Sequence, residues 1–192
     1  ILGKFELVLA SFANTEEKRI FFEPFVWKNA QCSIIQLNKL LLVGVKTSTD
    51  IKTFNIEYGS NPYGVSITQI QSYINNCNVL VGFNIKFDLH WLRRYGITIP
   101  KGVTIWDCQL AEFILSYQQE SYPSLDTSCA KYALPLKKST MKEYLDKGLD
   151  VSDIPLPELT TYLQGDLEST EGVYLKQIPL IRKGGFWPLF NL

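Results

Sequence analysis

A chain of 192 residues is ample for one α/β core and tight for two full domains. Apolar residues make up 46%, charged residues 20%, and the formal net charge is zero; nothing here resembles a disordered tail or a strongly basic nucleic-acid coat, which weighs against gripping long duplex DNA by charge alone. A single histidine excludes a histidine-rich metal site, and Cys32, Cys77, Cys108 and Cys129 lack the close spacing of a zinc knuckle or redox pair, which predicts reduced thiols.

Residues 5–11 and 19–23 read as short strands around the polar turn Asn14-Thr15-Glu16-Glu17, either as a hairpin or as the tail of a preceding unit. Pro24 then marks a boundary, so residues 1–24 are set apart as an N-terminal extension. Residues 25–31, 40–46 and 51–58 read as three strands joined closely enough for an antiparallel meander. A helix is predicted over 65–75, where Ile67, Ile70 and Ile74 share one side. A buried strand follows over 78–83, then a helix over 87–96, a strand over 103–106 and a helix over 107–117. This alternation predicts parallel additions to the sheet. A short helix is expected over 124–133 with Ser124 as its cap, and residues 140–145 form a turn or two of helix. A long helix after Pro157 runs to about Lys176 and is disrupted by Pro179. Residues 179–192 hold Phe186, Trp187 and Phe190, an aromatic extension that packs on this domain or contacts another.

Two spaced carboxylate motifs stand out. Gly82-Phe83-Asn84-Ile85-Lys86-Phe87-Asp88-Leu89 enters a helix with Asn84 and Asp88 four apart, and Tyr162-Leu163-Gln164-Gly165-Asp166 repeats that spacing within the long helix. Alone, Asp88 reads equally as a helix cap, Asp166 as solvent face beside Glu168 and Glu171, and Tyr162 as a packed aromatic. Asp107 reads as a helix cap and His90 as a structural or surface residue.

Paired in this order, the motifs resemble the tyrosine branch of the DEDD 3'-5' exonucleases, and in particular the proofreading domain of bacterial and phage family-A DNA polymerases. The resemblance covers residues 25–178 and extends to Trp106-Asp107-Cys108-Gln109-Leu110 and to Ser124-Leu125 followed by Tyr132. It implies a ribonuclease H-like α/β fold with a mixed central sheet flanked by helices. It also implies removal of nucleotides from a single-stranded DNA 3' end, at a site holding two Mg2+ or Mn2+ ions. By that resemblance Asp88, Asp166 and the residues at 29 and 31 hold metal, and Tyr162 orients the attacking water. Asn84, Lys86 and Trp27 then lie at the nucleic acid, although Asn84 reads equally as a holder of backbone geometry, Lys86 as an exposed lysine and Trp27 as core.

The chain departs from the family at its first motif. The resemblance calls for Asp-x-Glu on the first core strand, and Asn29-Ala30-Gln31 stands in that place by position and hydrophobic lead-in. Amides offer carbonyl oxygen without negative charge, so metal affinity and water activation should both fall. The isosteric pair fits deliberate inactivation; natural divergence and a first motif located elsewhere are the other readings. Glu23 lies across Pro24, Asp50 and Glu57 lie on later elements, and none completes Asp-x-Glu. A natural pseudo-exonuclease that binds a nucleic-acid end or supports a partner, and a related RNA-processing exonuclease, are the alternatives. A DNA polymerase domain or subunit is the expected partner. The absence of an export signal and of a membrane-length apolar stretch favours an intracellular setting, and a start at Ile1 favours a fragment or processed product.

Overall fold

The computed structural model describes residues 19–27, 39–58, 64–135, 143–144, 146–149 and 151–190. One five-stranded mixed sheet forms its centre, in the order β3-β2-β1-β4-β5. The strands are β1 (Arg19–Trp27), β2 (Lys39–Lys46), β3 (Ile51–Asn55), β4 (Val79–Gly82) and β5 (Thr104–Asp107). β1, β2 and β3 form an antiparallel meander, and β4 and β5 add in parallel beyond β1. The helices are α1 (Gly64–Asn75), α2 (Ile85–Arg94), α3 (Cys108–Leu115), α4 (Leu125–Lys131), α5 (Leu156–Lys183) and α6 (Trp187–Phe190). This is the mixed α/β, ribonuclease H-like architecture that the motifs implied.

Strand alternation divides the core between two faces. Val43, Val45 and Leu80 pack against Ile70 and Ile74 of α1 and Leu89 and Leu92 of α2. Val79 and Val81 project to the other face, against Ala111 of α3 and Leu167 and Tyr174 of α5. Leu42 meets Leu159 and Leu163 of α5 on that second face. The molecule is therefore three layers, with α1 and α2 below the sheet and α3, α4 and α5 above it. Among the described residues, no helix is long and apolar enough to cross a membrane.

Several elements differ from the sequence reading. β1 runs unbroken through Pro24, where a boundary between an extension and a core strand at 25–31 was expected. The register explains the tolerance: β1 pairs with β4 only over Arg19, Ile20 and Phe21, so at Pro24 its one strand neighbour is β2. A missing N–H costs least on such a free edge. The ladder with β2 then shifts between Phe25 and Val26. α5 likewise continues through Pro179 to Lys183, because Gln177 and Ile181 on either side of it are buried. Trp187 is buried too, with its ring 6.0 Å from that of Trp106, so the aromatic extension packs on this domain. The expected strand at 5–11 and residues 29–38 lie outside the described residues.

Candidate active site

The turn from β4 into α2 is built from three sequence features. Gly82 ends the strand, and a Cβ there would stand 2.9 Å from Ile85 Cγ1, which leaves glycine as the residue that fits. Asn84 adopts the left-handed conformation (φ 58°, ψ 43°) that asparagine tolerates better than other side-chain-bearing residues. Its backbone N–H donates to Asp107 Oδ1 at 3.0 Å. Asp107 Oδ1 also accepts from the amides of Gln109 and Leu110, so one carboxylate caps α3 and fixes the entrance of α2. Burial raises the Asp107 pKa above its ordinary value, against the opposing pull of these amides. Asn84 thus shapes the turn with its backbone, and its side chain makes no capping bond.

This turn sets Asp88 in the first turn of α2, buried at 3% exposure. Asp166, in α5, is buried at 6%. Tyr162 lies one turn ahead of Asp166, half-buried against Leu41, Leu42 and Leu163. α2 and α5 lie on opposite faces of the sheet, and both pack against β1 and β4. The two carboxylates are thus carried by the helices that flank the centre of the sheet.

The surface of α2 turned toward β5 and α3 is different. Lys86, His90 and Arg93, all exposed, rim a cavity of about 320 Å³ floored by Leu89, Ile105 and Leu110. Helical spacing puts Lys86 and His90 on the opposite side of α2 from Asp88. A larger cavity, about 760 Å³, lies between β3 and α1, lined by Lys52, Thr53 and Gln69; it contains neither carboxylate, so size does not locate the chemistry here.

Behind the site, Glu112 of α3 is buried at 4% and accepts bonds from Lys131 Nζ (2.8 Å), Gln177 Nε2 (2.8 Å) and the Tyr132 hydroxyl. Gln177 Nε2 also donates to the Cys108 carbonyl, and its Oε1 accepts from Trp106 Nε1. Ser124 caps α4 by accepting from the Thr127 amide. These contacts give the Ser124-Leu125…Tyr132 segment a physical role: it ties α4 to α3 and α5. The sequence reading missed Glu112 and Gln177, since one polar residue among apolar ones on a helix carries no signal of its partners.

Of the residues expected at the site, Asp88, Asp166 and Tyr162 are placed as described, and Lys86 lies at the cavity rim. Trp27 ends β1, paired with Lys39. Asn29 and Gln31 lie outside the described residues. Among the described residues, no group of three or more His, Cys, Asp or Glu side chains is arranged to hold a metal ion. Two buried carboxylates are the hard oxygen donors that Mg2+ or Mn2+ takes, so the donor chemistry fits.

A family described as 3'-5' exonuclease matches residues 74–176, just over half of the chain, and that span contains both Asp88 and Asp166. No curated protein sequence matches. Among solved structures, the family B DNA polymerase of the archaeon Pyrobaculum calidifontis is similar at 19% identity and TM-score 0.63, over 86% of this chain and 25% of that one. The Trypanosoma brucei RNase D, solved in complex with RNA U12, is similar at 15% identity and TM-score 0.67, over 92% of this chain and 60% of that one. The EXO domain of Aedes aegypti Nibbler aligns at 14% identity and TM-score 0.60, over 94% of this chain and 86% of that one. At these identities the likeness is one of fold, and the chain spans a quarter of the polymerase and three fifths of the RNase D.

Proposed function

Because this chain belongs to the 3'-5' exonuclease family, of DEDD type and related to the proofreading domain of family-A DNA polymerases, we propose that it binds the 3' end of single-stranded DNA and removes nucleotides from it slowly. The observation that carries this reading is the burial of Asp88 and Asp166 inside the matched span, on the two helices that flank the sheet centre. Mg2+ or Mn2+ bound there would supply the positive charge that activates water and stabilises the leaving 3'-oxygen. Asp88 and Asp166 provide the oxygen ligands, and Tyr162, one turn ahead of Asp166, orients the attacking water through its hydroxyl.

Slow cleavage follows from the first motif. No stretch of the first sixty residues supplies Asp-x-Glu; Asn29-Ala30-Gln31 carries two amides instead. Fewer carboxylates hold the divalent ions less tightly and activate water less well. An intracellular replication setting beside a polymerase fits this substrate.

The test is degradation of 3'- and 5'-labelled single-stranded DNA and RNA in Mg2+ and Mn2+, with Asp166→Asn alongside. The expected result is weak shortening from the 3' end, lowered about 100-fold or more by the substitution, in line with losing a catalytic metal ligand. Preference for RNA would move the reading to RNA processing. Binding of 3' ends without any cleavage in either metal would move it to a pseudo-exonuclease.

A further inference from the structure

We propose that the hollow between α2, β5 and α3 is a docking surface for an acidic, amphipathic segment of a partner protein. The segment seats an apolar side chain against Leu89, Ile105 and Leu110 and sets its carboxylates on Lys86 and Arg93. The strand register carries this. Ile105 of β5 is level with Leu80 of β4, and residues paired in this way share a face of the sheet. Leu80 is fully buried among residues of α1 and α2, the helices of the lower layer. Ile105, on the same face one strand further out, is 38% exposed. The cover that α2 gives the sheet therefore thins out over the edge strand.

The floor is built from three elements. Leu110 of α3, 37% exposed, reaches the same hollow from the strand edge, and Leu89 closes it from α2. A volume of about 320 Å³ is at the low end of the roughly 300–1,000 Å³ of small-molecule pockets and suits one anchoring side chain rather than a whole ligand. Exposed apolar surface bordered by polar residues is the mark of a protein-binding site.

The rim selects the charge of the partner. Lys86, His90 and Arg93 follow one another at helical spacing along one side of α2, all exposed. None of the three side chains forms a salt bridge with another described residue. Asp107 also lines the hollow, and its Oδ1 is engaged by the backbone amides of Asn84, Gln109 and Leu110. Two unpaired cations above an aliphatic floor complement a ligand that is acidic on one side and apolar on the other. The residues that line the hollow include no aromatic ring, and the bases of a single strand bind by stacking on such rings, so the surface suits a protein segment better than nucleic acid. It lies on the other side of α2 from Asp88, so a docked partner leaves that carboxylate open.

The experiment is panning of a random dodecapeptide phage library against the full chain, with synthetic copies of the enriched peptides titrated by fluorescence anisotropy. The enriched sequences should carry several Asp or Glu residues around a Leu, Ile or Phe, and their binding should weaken as ionic strength rises. Leu110→Asp and Arg93→Glu, each checked for folding by circular dichroism, should weaken that binding about tenfold or more, as loss of an anchor pocket or reversal of an interface charge does. Should Leu110→Asp fail to fold, Leu110→Ser tests the same anchor. Enrichment of no sequence, enrichment of neutral or basic peptides, or unchanged binding in either folded variant would overturn the inference. Two further results would also overturn it. Weaker binding of labelled oligothymidine by Arg93→Glu, without peptide enrichment, would assign the surface to nucleic acid. A dimer in sedimentation that Leu110→Asp dissociates would assign it to a second copy of the chain.

Discussion

Asp107 shows how much one side chain organises here. Its Oδ1 accepts three backbone N–H groups, from Asn84, Gln109 and Leu110, and so joins the turn before α2 to the start of α3. Asp107→Ala should cost about 1–2 kcal/mol in denaturant unfolding, the usual value of a lost cap. Asp107→Asn retains an acceptor and should cost much less. The carboxyl also has a pH signature. Its folded-state pKa lies above the ordinary value of 3.8, so the folded protein binds this proton more readily than the unfolded chain does. The contribution of this group to stability is therefore fullest below that ordinary value and is lost as pH rises through the folded value. Asp107→Asn should flatten the stability profile across that window, as measured by unfolding at a series of pH values. Glu112 is the buried counterpart: Glu112→Ala removes the acceptor of the Tyr132 hydroxyl and one of the two acceptors of Gln177 Nε2, and should cost about 1–3 kcal/mol, with the loss read as a lower melting temperature.

Among the elements, α5 decides the most. It is held against β2 by the absence of a side chain at Gly44, where Leu163 and Leu167, both fully buried, lie within 3.0 Å of a hypothetical Cβ. Gly44→Ala should lower stability by about 1–3 kcal/mol through overpacking. It should also weaken Mn2+ binding, since Asp166 rides on the helix that must shift; unaltered metal binding in a folded Gly44→Ala chain would separate packing from the site. The C-terminal half of α5 carries its own strain at Pro179, which is exposed and lacks the N–H for an intrahelical bond. Pro179→Ala should stabilise the protein by about 1–3 kcal/mol, given the cost of proline in a helix interior. Slower amide exchange around Leu180 and Ile181 would locate that gain.

At the scale of the molecule, the two faces of one sheet bring residues far apart in sequence under common control. Asp88 comes from the lower layer and Asp166 from the upper, and β1 lies between them. The C-terminal residues close the upper layer: Trp187 packs with Trp106, whose ring meets Tyr174 edge-on at 5.3 Å. Trp187→Ala should cost about 3–5 kcal/mol, as large core truncations do, and should destabilise the whole unit in one cooperative transition. A separate early transition in calorimetry would instead mark residues 184–190 as an independent appendage.

The sequence by itself determined the parts that depend on local periodicity and on motif spacing. The meander, the alternation of strand and helix after residue 75, the Ser124 cap and the Asp88 and Tyr162–Asp166 motifs are all legible, because apolar period and capping chemistry are written within a few residues. The tertiary structure decided what depends on partners distant in the chain. Pro24 and Pro179 read as breaks, yet one lies where β1 has a single strand neighbour and the other between buried anchors. Glu112 and Gln177 read as ordinary helix residues until α3, α4 and α5 meet. Above all, register is a pairwise property: that Ile105 shares a face with the buried Leu80 and still stays exposed follows only once β4 and β5 are laid side by side.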